Sequence, residues 1–226
     1  MLKNNSSLAD IEILLRKGLD ALSIPIANEY LSQLSVYVSE LHKWNRRMNL
    51  IAKNTTVAES VEKHFLDSLT LLPVIRQYKN ESMTLLDVGT GAGFPGLVLK
   101  AACPELEVTL VEPREKRSIF LKHIIRTLGL SKVQVISSRI EDDAIAIPQG
   151  GYSFITSRAV AEPNIFLPMI SRFTTEKTII ITMLGGREEP APLVDELAEK
   201  FQVLNNHHFA LPASGDKRVL CLLKAR

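Results

Sequence analysis

The stretch Leu85-Leu86-Asp87-Val88-Gly89-Thr90-Gly91-Ala92-Gly93-Phe94-Pro95-Gly96 decides the fold class of this chain. Leu85, Leu86 and Val88 form a short apolar run of the kind that becomes a strand buried in a parallel sheet. Gly89, Gly91 and Gly93 follow at alternate positions. Without a Cβ they permit positive φ and let the backbone come close to a ligand. Pro95 suits the first turn of a helix, where its missing N–H has no partner to lose. Strand, glycine turn and helix together place a cleft at the carboxyl end of the strand, where open α/β sheets bind ligands.

Two ligand classes compete for that cleft, beside the bland alternative of a structural turn with no ligand. Gly91 to Gly96 has the GxGxxG spacing of a dinucleotide fold, with Glu112 at the end of the next expected strand. The extra Gly89, with Asp87 before it, points the other way. A carboxylate at the tip of the first strand suits an aminoacyl ammonium and sits badly beside a pyrophosphate. Glu112 can accept both ribose hydroxyls. The pair favours S-adenosylmethionine, with Asp87 near its amino-acid end and Glu112 on the ribose.

Outward from the loop, strands and helices alternate. Strands are expected over 84–88, 107–112, 133–137, 152–157, 178–184, 202–209 and 217–224, and helices over 95–103, 114–128, 162–173 and 190–201. Gly129 is placed to cap the second of these helices. Leu211 to Asp216 leaves no room for a helix, so the last two strands must pair antiparallel. The expected fold is α/β, a Rossmann-like seven-stranded class I methyltransferase sheet over residues 81–226.

Residues 1–80 read as an N-terminal helical subdomain. Leu8, Ile11, Leu15, Leu19 and Leu22 recur at helical spacing up to Pro25, and Tyr30, Leu34, Tyr37, Leu41, Trp44 and Met48 continue it. Thr56-Val57-Ala58-Glu59 has the form of a capping box and opens a further helix carrying Val61, Phe65, Leu69 and Leu72. Gln77 to Met83 reads as a polar connector.

Composition sets bounds. The chain has 226 residues, 46% hydrophobic and 23% charged, with a net charge of +2. That is ordinary for a globular protein with one substantial core. No apolar run approaches a membrane span, and MLKNNSSLAD lacks the apolar stretch of a signal peptide. Cys103 and Cys221 have no metal-ligand spacing and read as reduced thilols of a cytoplasmic protein. Arg114, Lys116, Arg117, Lys122, His123 and Arg126 crowd one expected helix, either as a solvated face or as an RNA-facing patch.

Motifs along nearly the whole chain carry a family resemblance. Leu41-His42-Lys43-Trp44-Asn45 with Asn49-Leu50 is similar to an LHKWN…NL signature, and His64-Phe65-Leu66-Asp67-Ser68 to an HxLDS element. Gly89 to Gly96 is similar to GTGxGxPG, and Lys116-Arg117, Ser138-Arg139-Ile140-Glu141, Ser157-Arg158-Ala159 and Lys217-Arg218 follow in order. In these the chain resembles the bacterial glucose-inhibited division protein B family of small-subunit rRNA guanine-N7 methyltransferases. The resemblance implies methylation of N7 of a guanine in the 530 loop of 16S rRNA. It also implies that Gly89, Phe94, Ile140, Glu141 and Arg158 hold the cofactor. The chain departs from the pattern at Leu184, where many members carry lysine, and at Ile51, which replaces a threonine.

The residues are compatible with that chemistry. Guanine N7 carries a free lone pair, so its methylation needs no general base and rests on placement and electrostatics. Cys103 and Cys221 are poorly placed as nucleophiles, and no Asn/Asp-Pro-Pro-aromatic motif for an exocyclic amine follows the fourth strand. Arg158 is the leading catalytic candidate. It could bind a carboxylate, a guanine edge or a phosphate, or else form a surface ion pair with Glu162. His64 and Asp67 share a helix face and can brace the site. The expected cofactor set is Asp87, Gly89, Gly91, Gly93, Phe94, Glu112, Ile140, Glu141 and Arg158. Lys116, Arg117, Arg139 and Arg218 are the RNA-binding candidates, and Trp44 reads as helix packing. The expected partner is 16S rRNA or the small ribosomal subunit, met by a monomer with no metal and no membrane contact. Other readings are a methyltransferase acting at another RNA position, a ribosome-associated module holding the cofactor structurally, and an NAD-binding oxidoreductase.

Overall fold

A computed structural model of the chain describes residues 6–78, 83–142, 145–158, 162–186 and 190–226. Helix α1 (Leu8–Ala21) opens on a capping box between Ser7 and Asp10. Helix α2 (Asn28–Met48) ends at Asn49, whose left-handed backbone (φ 49°) turns the chain out of the helix. The expected Thr56/Glu59 capping box opens α3 (Val57–Ser60). The helix then widens into a π-helical turn, Val61–Leu66, before α4 (Asp67–Leu69) and α5 (Leu72–Gln77). Sequence periodicity reads this stretch as one regular helix; the π turn is the departure from it.

Among the described residues seven strands form one sheet: β1 (Thr84–Val88), β2 (Glu107–Val111), β3 (Val133–Ile136), β4 (Phe154–Arg158), β5 (Ile179–Gly185), β6 (Phe201–Ala210) and β7 (Lys217–Ala225). Their order is β3-β2-β1-β4-β5-β7-β6. The first five run parallel, and β7 lies antiparallel between β5 and β6, as the short turn before it requires. After β3 the chain crosses to the far side of β1, so the strand order reverses between β1 and β4. The carboxyl ends of those two strands therefore flank the ligand crevice of an open sheet.

The connecting helices are α6 (Gly96–Ala102), α7 (Glu115–Thr127), α8 (Pro163–Ile170) and α9 (Asp195–Lys200). Two expectations shift. Pro95 is the N-cap of α6 and not its first residue. The helix expected over 190–201 starts only at Asp195, because Pro190 and Pro192 lack N–H donors and disfavour the helical backbone before them. Asn164 holds the extended segment there, accepting from Val194 N at 3.1 Å.

Both faces of the central strands are covered, so all five positions of β1 and the first four of β4 are buried, polar ones included. Leu85, Val108, Leu110, Phe154 and Ile181 face one continuous core shared with α1, α2, the Val57–Leu69 segment and α6. Leu86, Val88, Ile155 and Ile180 face the other, with Phe166, Leu167 and Phe173. The N-terminal helices thus pack directly on the sheet and bring Val61–Leu66 and Asp67–Leu69 to the crevice.

Candidate active site

A cleft of about 940 Å³ opens at the carboxyl ends of β1, β2 and β4. Gly89, Thr90 and Gly91 of the loop line it, with Glu112 after β2, Arg158 at the tip of β4, and His64 and Asp67 from the helical segment. Leu50, Ile51, Met183 and Leu184 close its rim.

The loop is held from behind. Tyr37, fully buried on α2, donates its hydroxyl hydrogen bond to Ala92 O. Sequence periodicity identified Tyr37 only as a core position; the hydroxyl on an otherwise apolar stripe was the available signal. Gly93 has φ 97°, and a Cβ there would lie 2.1 Å from the Tyr37 hydroxyl. Gly93 therefore belongs to the loop's packing and does not line the cleft. Gly93→Ala is expected to lower unfolding stability by about 2–4 kcal/mol, combining overpacking with a disfavoured backbone. Urea titration tests this, and a loss under about 0.5 kcal/mol would show the contact to be soft.

Asp87 also lies behind the loop and not on the cleft lining. It is wholly buried, and its Oδ2 accepts from Thr90 Oγ1 at 2.6 Å and Gly96 N at 2.7 Å. Its Oδ1 has no hydrogen-bond partner. The expected direct contact between Asp87 and an aminoacyl ammonium is thus not the arrangement seen; the carboxylate fixes both ends of the loop. Glu112 does line the cleft. Its Oε2 accepts from Gly91 N and its Oε1 from Arg114 N, both at 2.9 Å, while Arg117 Nη1 stands 3.6 Å from Oε2. One carboxylate so joins the glycine loop to the start of α7.

Arg158 reaches across to the π turn. Nη1 donates to Lys63 O at 2.9 Å, and Nη2 lies 3.2 Å from His64 Nδ1. Because arginine carries only donors, Nδ1 accepts and the imidazole proton sits on Nε2. The guanidinium stands 3.6 Å from Asp67 Oδ2 and 4.9 Å from the centroid of the Phe94 ring. Phe94 is buried, stacked on His64 with ring centroids 5.0 Å apart. Arg218 approaches Asp67 from the other side, with Nε 3.4 Å from Oδ1. Sequence reading offers Arg218 as an RNA-binding candidate; here it lines the cleft with its charge already paired.

Burial pushes the Asp87 carboxyl up to about 6, against the pull of the Thr90 and Gly96 hydrogen bonds. Burial, and then the Arg158 charge, push the His64 imidazole down to about 3, so the ring is neutral near neutral pH. Burial also raises Asp67 against the pull of its two arginines. The first two act on stability with opposite sign. Asp87 binds its proton more tightly folded than unfolded, so its contribution falls as pH rises from about 4 to about 6. His64 resists protonation in the fold, so its contribution is lost as pH falls from about 6.5 toward about 3. Asp87→Asn is expected to steepen the acid loss of Tm over this range, and His64→Asn to make it shallower. Thermal melts at several pH values check both; parallel profiles for the two variants would contradict the assignment.

The remaining expected residues scatter. Ile140 is buried in the second core and its carbonyl accepts from Arg172 Nη2 at 3.1 Å. Glu141 is exposed, and neither lines the cleft. Lys116 and Arg139 are exposed outside it, whereas Arg117 is on its wall. His123 on α7 pairs with Glu40 at 2.6 Å, and Trp44 packs between Phe120 and His123. Ala159 lies outside the described residues, as do residues 79–82 of the expected connector.

The donor set fits S-adenosylmethionine. The cleft is in the size range of cofactor sites. Gly91 leaves an open edge on the loop, where a Cβ would meet nothing nearer than Arg117 Nη1 at 3.5 Å. The buried Glu112 carboxylate is hydrogen-bonded to that edge through Gly91 N.

A family model described as rRNA small subunit methyltransferase G matches residues 30–221. A Ribosomal RNA small subunit methyltransferase G of Desulfotalea psychrophila is 43% identical over 218 residues, covering 93% of this chain and 96% of that protein. The protein of the same name from Anaeromyxobacter sp. is 35% identical, covering 94% and 96%. Solved structures share the fold at low identity. MtNAS in complex with MTA and tNA has a TM-score of 0.55 at 17% identity over 100% of this chain and 91% of that one. Coclaurine N-methyltransferase bound to N-methylheliamine and SAH has a TM-score of 0.53 at 15% identity, over 91% and 74%. By the reach of the family model and the identity of these relatives, the chain belongs to the rRNA small subunit methyltransferase G family.

Proposed function

We propose that this chain transfers a methyl group from S-adenosylmethionine to N7 of a guanine in the 530 loop of 16S rRNA. The observation that carries the reading is the cleft itself, where an open glycine edge and a buried Glu112 carboxylate meet the Arg158–His64–Asp67 cluster. Bound S-adenosylmethionine supplies an electrophilic methyl on a sulfonium. Gly89 and Gly91 would offer it backbone, and Glu112 would accept its ribose hydroxyls with lone pairs left after its two amide bonds. Phe94 lines the cleft beside the loop.

The acid and base groups on the cleft wall are engaged. His64 Nδ1 faces Arg158, Asp67 faces two arginines, and Glu112 holds two backbone amides. An acceptor that must lose no proton suits such a wall, which is the case for guanine N7. Arg158 has more N–H donors than the partners it keeps, so it can hold the base edge or a phosphate. The neutral His64 ring backs Phe94 without adding charge beside a sulfonium. Arg117 and Arg218 would meet RNA at the cleft, with Lys116 and Arg139 outside it.

Residues 1–80 serve in this reading as a helical subdomain that supplies one wall to the 81–226 methyltransferase domain. The protein works as a monomer in the cytoplasm without a resident metal; two buried thiols, Cys103 and Cys221, suit a reducing compartment. Among the described residues no helix is long and apolar enough to cross a membrane. Titration calorimetry with S-adenosylmethionine and with NAD tests the cofactor assignment. Saturable binding of the first and none of the second is expected; tight NAD binding alone would overturn it in favour of an oxidoreductase.

A further inference from the structure

We propose that a cationic groove at the carboxyl end of α2 is a docking track for the single-stranded RNA flanking the target base. The inference rests on the RNA substrate proposed above and names a second contact surface for it. Lys43, Arg46 and Arg47 are exposed around a groove of about 380 Å³ whose apolar lining is Trp44 and Met48. Trp44 is half-buried; its ring packs inward on Phe120, with centroids 5.7 Å apart, and on His123, at 4.7 Å. Lys43 pairs with Glu40 at 3.1 Å, whereas Arg46 and Arg47 form no ion pair with any described residue. Both arginines complement the dipole of the helix end. That role requires neither a groove nor an aromatic surface between the charges.

A short hydrogen-bonded turn joins the groove to the cleft. The left-handed Asn49 turns the chain, and Asn45 Oδ1 accepts from Ile51 N at 2.9 Å, clamping the turn to the helix. Met48 lines the groove, and Leu50 and Ile51 line the cleft. Guanidinium groups that carry no competing carboxylate, set beside an indole and a thioether, match a phosphate chain with a nucleobase laid against the apolar strip.

The test compares wild type with Arg46→Ala/Arg47→Ala and Arg46→Lys/Arg47→Lys. Filter binding to extracted, unmethylated small-subunit RNA is measured across a salt series, with Tm confirming the fold. Two lost phosphate contacts at about 0.7 each should reduce the slope of log Kobs against log salt by about 1.4. The alanine variant should bind about tenfold more weakly near physiological salt. The lysine variant should keep most of the slope, and calorimetric affinity for S-adenosylmethionine should not change. An unchanged slope in the alanine variant overturns the proposal. A loss confined to assembled small subunits, with extracted RNA bound normally, also overturns it and assigns the groove to a protein partner. Wild type that binds RNA without transferring a methyl group would contradict the proposed reaction, while the salt slopes would still decide the groove.

Discussion

Replacing Arg158 by alanine is expected to lower kcat/KM for methyl transfer by about 10²- to 10³-fold, the scale of removing one preorganised donor from an active site. The side chain holds Lys63 O, His64 Nδ1 and Asp67 at once and lies over the Phe94 ring. Its loss leaves buried Asp67 with Arg218 alone, which drives the carboxyl further toward its neutral form. Because Arg218 remains, the stability loss should stay below that of a fully broken buried pair, at about 1–3 kcal/mol. Arg158→Lys should recover little, since a single ammonium cannot present the same planar fork to three partners. Steady-state transfer to unmethylated small-subunit RNA, with urea unfolding of the same samples, separates catalysis from folding. A folded alanine variant with near-normal kcat/KM would remove Arg158 from the machinery.

Glu112→Ala should weaken S-adenosylmethionine binding by about 100-fold, equivalent to about 2.7 kcal/mol. The carboxylate supplies two charge-assisted bonds to backbone amides, each worth about 1.5–3 kcal/mol, and in the proposed role it also accepts from the ribose. Removing it frees Gly91 N and Arg114 N together and leaves Arg117 without its partner. Glu112→Gln should fall between the two, because an amide NH2 group would face one of the N–H donors. Calorimetry measures the affinity and filter binding measures RNA in parallel. RNA affinity should change little; equal losses in both would point to a collapsed loop and not to a cofactor contact.

The sheet was legible in the sequence through short apolar clusters such as Leu85-Leu86, Leu110-Val111, Phe154-Ile155 and Ile179-Ile180-Ile181, set apart by helical segments. The glycine loop was legible because three glycines at alternate positions each end with positive φ. Other features depend on pairings that spacing does not record. The π turn at Val61–Leu66 shifts the backbone hydrogen bonds from i→i+4 to i→i+5 over only six residues, too short for a change of period to appear. Arg218 reads as a free basic residue until Asp67, far away in sequence, is folded against it. Asp87 reads as a ligand because it ends a strand; the fold instead buries it behind the loop, with one oxygen, Oδ2, accepting from both Thr90 and Gly96. Ile140 and Glu141 follow β3 as expected, yet the chain turns Ile140 into the core and Glu141 to solvent. Tyr37 hid within a helical apolar stripe, where only the depth of its burial explains a hydroxyl beneath the loop.

The proposed reaction is methyl transfer to a guanine ring nitrogen of the small-subunit RNA. Its most direct test incubates the protein with methyl-labelled S-adenosylmethionine and unmethylated small subunits or their extracted RNA, then maps the labelled nucleotide. Label is expected in N7-methylguanosine within the 530 loop, lost in Arg158→Ala and in Gly89→Ala. Label at another position would keep the reaction and move the target. No label in RNA despite measurable cofactor binding would contradict the claim.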